Sequence, residues 1–462
     1  MNELLQLCGY KEQEIESELP RVKKVFDKLG ITNEDIERAK QRLTKYYDIE
    51  LKGVRKILRL LLQEMVNWLL AREEGKTKII YGFMATGFFD AIGAAAVSKS
   101  KEVYAVHLAS LFHIVVGSIF GKIVPIMEAS EQRWLKSGAV THCGNVKALV
   151  GLLTLDLIPK PDLLINTGVL CETAPKALDL LQELDGIPTC CYDTCRDREF
   201  WEYPEATKRI SDLMMKSSRI LAKKIEEVVD FELTDAMLQE VIDARRVSGR
   251  ATRKLRNLIQ SSDPPPIGSN PQTLLMPLNF LPMYNVDKLS DITDAMDTLY
   301  EELQERVSRG VGIVGKGAPR IIAILPPHWT DPHLDYLVEE AGMAIVSTDM
   351  GMGLSYSDVV EWKDPYEMLS MQGVQSSLHN SLSRRVDTIV EGCKRLNVDG
   401  VLNRFHIGCR TVAGDSLIIK NAITKELGIP VLQVERDDFD PRVCNHDRYR
   451  LNLETFKAIL TR

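Results

Sequence analysis

Apolar positions at helical spacing open the chain. Ile57, Leu60, Leu61, Met65, Trp68 and Leu69 recur every three or four residues until Gly75, so residues 1–75 read as a helical N-terminal region. From about residue 77 the pattern changes to short apolar runs that alternate with amphipathic stretches. Residues 162–165 and 187–192 read as strands, and residues 174–184 as a helix closed by Gly186. A stripe of Ile210, Leu213, Met214, Ile220, Leu221, Ile225 and Val228 then predicts a long helix, and Thr234 an N-cap for the next one.

Asp263 and three prolines break the pattern, which makes residues 264–282 the best linker candidate. The α/β alternation then returns. Residues 320–325, 343–348, 400–405 and 429–434 read as strands. Asp331-Pro332 predicts an N-cap with proline at the first helical position, Gly342 and Gly428 predict helix ends, and Leu378, Leu382, Val386, Ile389 and Cys393 form a helical stripe. Alternation of this kind argues for parallel sheets. The expected fold class is α/β, with two Rossmann-like parallel-sheet domains after the N-terminal helices. The expected boundaries are 1–75 for the helical region, 76–262 for the first α/β domain with a helical extension, 263–315 for a linker and helix, and 316–462 for the second α/β domain.

Composition changes this picture little. A 45% hydrophobic and 27% charged chain of 462 residues is ordinary for a globular protein of several domains. The net charge of −7, with acids and bases intermixed, argues against a nucleic-acid partner. Residues 103–127 are the most apolar stretch. They are interrupted by His107, His113, Gly117 and Lys122, so a buried core segment or a dimer surface is expected and a membrane span is not. No export signal is evident, which points to a reducing, cytoplasmic setting where thiols stay free.

Nine cysteines then become the candidate chemistry. Cys143, Cys171 and Cys409 share one expected setting: an apolar strand, a short loop that contains the Cys, then an amphipathic helix, with a glycine close by. A helix N-terminus favours thiolate, the form that binds iron. Three such loops that converge suit an iron–sulfur cluster in the cleft between the two sheets, where open α/β folds bind ligands. Cys8 and Cys393 extend apolar stripes and read as core. Cys190, Cys191 and Cys195 crowd the end of another strand, and Cys444 lies just past the last one. If two of those three join Cys444, there are two sets of three thiols, and each leaves one iron of a 4Fe-4S cubane without a protein ligand. His142 and His406 neighbour Cys143 and Cys409, and Arg410 adds positive charge beside Cys409.

Other motifs carry less. Gly310, Gly312 and Gly315 match a dinucleotide pattern, but they precede a strand and do not link strand to helix. No ATP-binding loop is present. Residues 435–438, Glu-Arg-Asp-Asp, read as a solvated charge run.

Gly168-Val169-Leu170-Cys171-Glu172-Thr173-Ala174-Pro175-Lys176 resembles the second cysteine loop of the 2-hydroxyacyl-CoA dehydratase and benzoyl-CoA reductase family. Residues 399–409 and 428–442 resemble its C-terminal module, and residues 320–349 its middle segment. The resemblance implies a 4Fe-4S cluster held by Cys143, Cys171 and Cys409. Asp193-Thr194-Cys195 and the added Cys444 depart from the usual dehydratase pattern and resemble the double-cubane-cluster branch. That branch implies two 4Fe-4S units joined by sulfide, six cysteine ligands, a homodimer, and electrons from a separate ATP-hydrolysing iron–sulfur activator. The second set is inferred as Cys191, Cys195 and Cys444, with Cys191 preferred over Cys190 on strand parity with Cys195.

The expected activity is an anaerobic low-potential reductase acting on a small-molecule substrate, with His142, His406 and Arg410 as candidates for protonation or tuning. One alternative is a dehydratase or aryl-CoA reductase subunit with a single 4Fe-4S cluster. Another is a non-catalytic electron relay.

Overall fold

The computed structural model describes residues 1–83, 88–135, 143–168, 173–192, 204–278, 288–325, 328–352, 364–375, 381–406 and 408–462. The expected sheets form. β1 (Lys78–Gly82), β2 (Val103–His107), β3 (Leu163–Thr167) and β4 (Thr189–Tyr192) build one parallel sheet in the order β2-β1-β3-β4. β5 (Arg320–Ile324), β6 (Ala344–Thr348), β7 (Gly400–Phe405) and β8 (Val431–Glu435) build a second parallel sheet in the order β6-β5-β7-β8. The two orders are the same. In each, the chain leaves the first strand for one neighbour and then crosses to the other side, so the switch points lie at β1/β3 and β5/β7. The carboxyl ends of strands at such points are where α/β sheets take ligands.

Helices cover both faces of each sheet, which is why most strands are continuous apolar runs. On the second sheet, Leu382–Leu396 and Arg410–Leu427 pack over Ile322, Ile324 and Val401. Pro332–Glu340 and His446–Leu460 pack over Ile321, Ala323 and Leu402 on the other face. The sequence signals act as anticipated. The Thr234 hydroxyl accepts from the Met237 N–H, the Asp331 carboxylate accepts from the His333 N–H, and Gly186, Gly342 and Gly428 adopt positive φ.

The four N-terminal helices share one core with the first sheet. Lys52–Leu69 docks on Leu289–Ser308 so closely that a Cβ on Gly53 would meet the Leu299 Cα at 2.5 Å. The Lys52 and Gly53 N–H groups donate to the Glu302 carboxylate at 2.9 Å each, satisfying helix-start donors.

The apolar stretch is core, as expected: β2, a short helix and the π-helix His113–Ile119, every residue of it buried. Among the described residues no single helix is long and apolar enough to cross a membrane; His113–Ile119 and Val124–Arg133 reach that length only as a pair bent by 114°.

Two expectations need correction. Leu213 and Ile220 leave the apolar stripe of Pro204–Val229 and are exposed, while Ile210, Met214, Leu221 and Ile225 are buried. The stripe is narrower than the sequence suggests because that helix meets the core along one edge. In the charge run only Glu435 is exposed; Arg436, Asp437 and Asp438 are buried. They follow the carboxyl end of β8 and turn into the junction between the two α/β units.

Candidate metal centre

Cys143 is the N-cap of the helix Gly144–Thr154, and Cys409 is the N-cap of Arg410–Leu427. The first helix belongs to the first α/β unit and the second to the other. Their starts meet. A Cβ built on Gly408 would lie 3.2 Å from the Cys143 Cβ, so the Cys409 loop passes directly against Cys143. Gly144 is equally confined: a Cβ there would meet the Asp440 N at 2.8 Å. Larger residues at either glycine would push the two loops apart. The loops that carry Cys143 and Cys409 therefore touch, although 266 positions (409 − 143) separate the two residues in the chain.

The buried end of the charge run builds the wall behind them. Asp437 accepts from the Gly144 N–H at 2.8 Å and from the Phe439 N–H at 2.9 Å. Its carboxylate thus caps the Cys143 helix from the opposite unit. Burial pushes the Asp437 carboxyl above its ordinary range, against the pull of His406 and these two N–H donors. His406, at the end of β7, is buried. Its Nδ1 donates to the Arg436 carbonyl at 3.3 Å, and its Nε2 stands 3.7 Å from Asp437 Oδ2 with no hydrogen-bond partner. Nε2 also lies 3.2 Å from the Cβ position of Gly408, facing the thiol loops.

Further contacts build the junction, and the Phe439–His113 packing crosses it. The Trp329 N–H donates to the Asp438 carbonyl at 3.0 Å, Phe439 packs on the His113 ring at 4.8 Å between centroids, and His113 Nε2 pairs with Asn145 Oδ1 at 2.9 Å. Burial pushes the His113 imidazole down to about 4, which keeps it neutral. Arg442 holds Glu131 across the surface of the junction at 2.7 Å. At the β5 switch point Leu325 sits at φ 71°, a conformation costly for leucine. Its N–H donates to Asp349 Oδ1 at 2.8 Å and its carbonyl accepts from Arg404 at 2.6 Å.

His142, Cys171 and Cys195 lie outside the described residues, as does the side chain of Arg410. The flanks of Cys171 are the strand β3 and the helix Thr173–Asp185. Cys190 and Cys191 sit within β4. Cys190 is half-buried against the core near Lys224 and Glu227, with its thiol raised by burial, and Cys191 is exposed with Sγ 3.9 Å from the Tyr192 carbonyl. Cys444 is half-buried on the Tyr449–Leu453 face of the second sheet; burial raises its thiol and nearby Arg436 opposes that. Cys8 and Cys393 are core residues whose thiols burial pushes up to about 12. Among the described residues no group of three or more Cys, His, Asp or Glu stands close enough to hold a metal.

Asp437 is the residue that sequence reasoning missed. The available signal was its place just past a strand's carboxyl end, the position that the cysteine loops also occupy. The donor set fits an iron–sulfur group: Cys143 and Cys409 come together at two helix starts, and glycine is required at 144 and 408 to leave room.

Two Rossmann-like parallel units whose cysteine loops meet at their junction define an α/β protein with a thiol-lined interdomain site. The chain belongs to the family of the 2-hydroxyglutaryl-CoA dehydratase D-component, which matches residues 100–460. It is also 23% identical over 339 residues to one of the subunits of benzoyl-CoA reductase from Thauera aromatica, covering 68% of this chain and 75% of that one. Members of the family are iron–sulfur enzymes, dehydratases or reductases.

Proposed function

We propose that the protein is an anaerobic low-potential reductase that holds a double-cubane iron–sulfur cluster at the junction of its two α/β units. The observation that carries this reading is the contact of Cys143 with the Gly408-Cys409 loop at two facing helix starts. Cys143, Cys171 and Cys409 would hold one cubane, and Cys191, Cys195 and Cys444 the other. The cluster, when bound, supplies electrons at low potential and an iron edge open to substrate.

The chain's own part is to orient and to manage protons. Asp437 fixes the Cys143 helix against the second unit. His406, its Nδ1 tied to the Arg436 carbonyl, keeps Nε2 directed at the thiol loops, where it can hold or release a proton. His142 and Arg410 are placed by sequence beside the same thiols. Electrons would come from a separate ATP-hydrolysing iron–sulfur activator, the active form would be a homodimer, and the setting a reducing cytoplasm.

A second reading is favoured by the match to a dehydratase component and a benzoyl-CoA reductase subunit. In it the chain is one subunit carrying a single 4Fe-4S cluster that acts on a CoA thioester. Iron and sulfide analysis of anaerobically purified protein separates the two: about eight irons per chain for the double cubane against about four for a single one. Fewer than about four would overturn both. Sustained substrate reduction with an activator and ATP separates either from a non-catalytic electron relay.

A further inference from the structure

A cavity of about 210 Å³ lies at the carboxyl end of β6, between that strand, the helix Asp235–Ser261 and the short helices Ser269–Thr273 and Leu275–Leu278. No described cysteine lines it. Much of its wall is apolar, with Ile259, Met276 and Ile345 among the lining residues. Eight of its fifteen lining residues are polar, and two of them, Ser269 and Arg256, have side-chain groups not used by the protein among the described residues. Ser269 is 2% exposed, and its Oγ has no hydrogen-bond partner. Arg256 is half-buried, with Nε 3.8 Å from the Cβ position of Gly351, so its guanidinium lies over the turn that follows β6.

No carboxylate faces Arg256 among the described residues. The charges around it are Arg253 and Arg395, and burial together with those like charges pushes its guanidinium below the ordinary value. Three fully buried arginines are treated differently: Arg385 holds Asp349 and Asp415, Arg404 holds Asp335, and Arg436 holds Asp438. A half-buried cation among like charges is still disfavoured, and an anion beside it offsets that cost. A pocket with a largely apolar wall and unused donors, at the carboxyl end of a parallel strand, is a usual form of small-ligand site. The volume exceeds the ~150 Å³ that suffices to enclose benzene.

We propose that this cavity binds a small organic carboxylate with an apolar body about the size of benzene, with Arg256 as counter-charge and the Ser269 hydroxyl as a second donor. A guanidinium presents two parallel N–H groups to a carboxylate, which fixes its orientation, while the apolar wall takes the body. Binding here needs no iron, so the site stands or falls independently of the cluster reading.

Calorimetric titration of the full chain with benzoate, its neutral isostere benzamide, and inorganic phosphate tests this. Benzoate should bind one per chain, and benzamide about tenfold more weakly or worse, the worth of a charge-assisted hydrogen bond. Phosphate should also bind more weakly, because it leaves the apolar wall unused. Arg256→Gln should lose benzoate binding by a similar factor without lowering the melting temperature of the unliganded chain, and Arg256→Lys should retain part of it. Should the Gln variant fail to fold, Arg256→Lys and Ser269→Ala carry the comparison, each expected to weaken benzoate more than benzamide. Equal affinity for benzoate and benzamide, phosphate binding as tight as benzoate, an unchanged constant in the variants, or no benzoate binding at all would each overturn the assignment.

Discussion

Five residues before Cys171 stands Asn166 on β3, and five before Cys409 stands Arg404 on β7; both side chains are fully buried. Their strands hold the same place in two sheets of identical order. Arg404 is fully engaged. It pairs with buried Asp335 at 2.7 Å and donates to the Leu325 carbonyl, bracing the strained residue that ends β5. Asn166 is not: neither amide atom has a hydrogen-bond partner. The second unit thus holds its switch point rigid with a buried ion pair, and the first leaves an uncompensated amide at the root of the Cys171 loop. An unpaired buried polar group is rare enough to call for a reason, and the adjoining candidate metal site supplies one.

The largest expected effect tests this contrast directly. Arg404→Met leaves Asp335 as a buried charge without its partner and should cost about 3–5 kcal/mol in denaturant unfolding. Asn166→Leu replaces a desolvated amide with an apolar group of the same branched shape and should stabilise the chain by up to about 1–2 kcal/mol, less what its larger volume costs in packing. Iron content and activity should fall in the Asn166 variant if the amide is kept for the site. If both variants destabilise equally, the two positions are not different in kind.

How much of this was legible in the sequence depends on how local each signal is. The strands are short apolar runs, and Thr234, Asp331, Gly186, Gly342 and Gly428 act within a few residues of themselves, so they could be read directly. Cys143 and Cys409 were recognisable as thiols at helix starts, because capping is also local. That Gly408 touches Cys143 was an expectation of convergence with no distance attached. Asp437 was unreadable for the opposite reason. Its burial is imposed by Gly144, almost 300 positions away, so a local window sees only a charged stretch. Leu213 and Ile220 fail similarly: helical spacing marks an apolar face but not how much of that face a neighbour covers.

The second difference between the units lies one helix earlier, and the expected effect is smaller. The helix before β7 is capped by its own neighbour, since the Ser381 hydroxyl accepts from the Arg384 N–H at 3.3 Å. The helix before β3 has Cys143 at that position and borrows its cap from Asp437 of the other unit. Ser381→Ala should cost about 1 kcal/mol, the ordinary worth of a cap. Asp437→Ala strips acceptors from both the Gly144 and Phe439 N–H groups and should cost about 2 kcal/mol. It should also change the electron paramagnetic resonance of the reduced protein, which Ser381→Ala should leave alone. Identical spectra for the two variants would make Asp437 an ordinary structural cap.

The smallest effect is a slope. Glu339 of the second unit accepts from the Ser269 N–H at 2.9 Å and so ties residues 264–278 to that unit, but burial pushes its carboxyl up to about 8 from an ordinary 4.5. A carboxyl raised on folding favours the folded state while protonated. Its contribution is full below about 4.5 and is lost as pH rises through about 8. Glu131, in the first unit, has the opposite sign: its hydrogen bond from Arg442 holds it down to about 2, so its contribution is present above about 4.5 and is lost only as pH falls through about 2. Between pH 5 and 8 the buried tether should therefore weaken while the cross-unit surface pair stays constant. Glu339→Gln should flatten the decline in melting temperature over that interval and leave the variant the more stable chain at pH 8. Glu131→Gln should lower the curve evenly across it, and only slightly, because a part-exposed pair is screened by solvent. A Glu339→Gln curve parallel to wild type over the whole interval would mean that solvent reaches this carboxyl and the tether carries no buried charge.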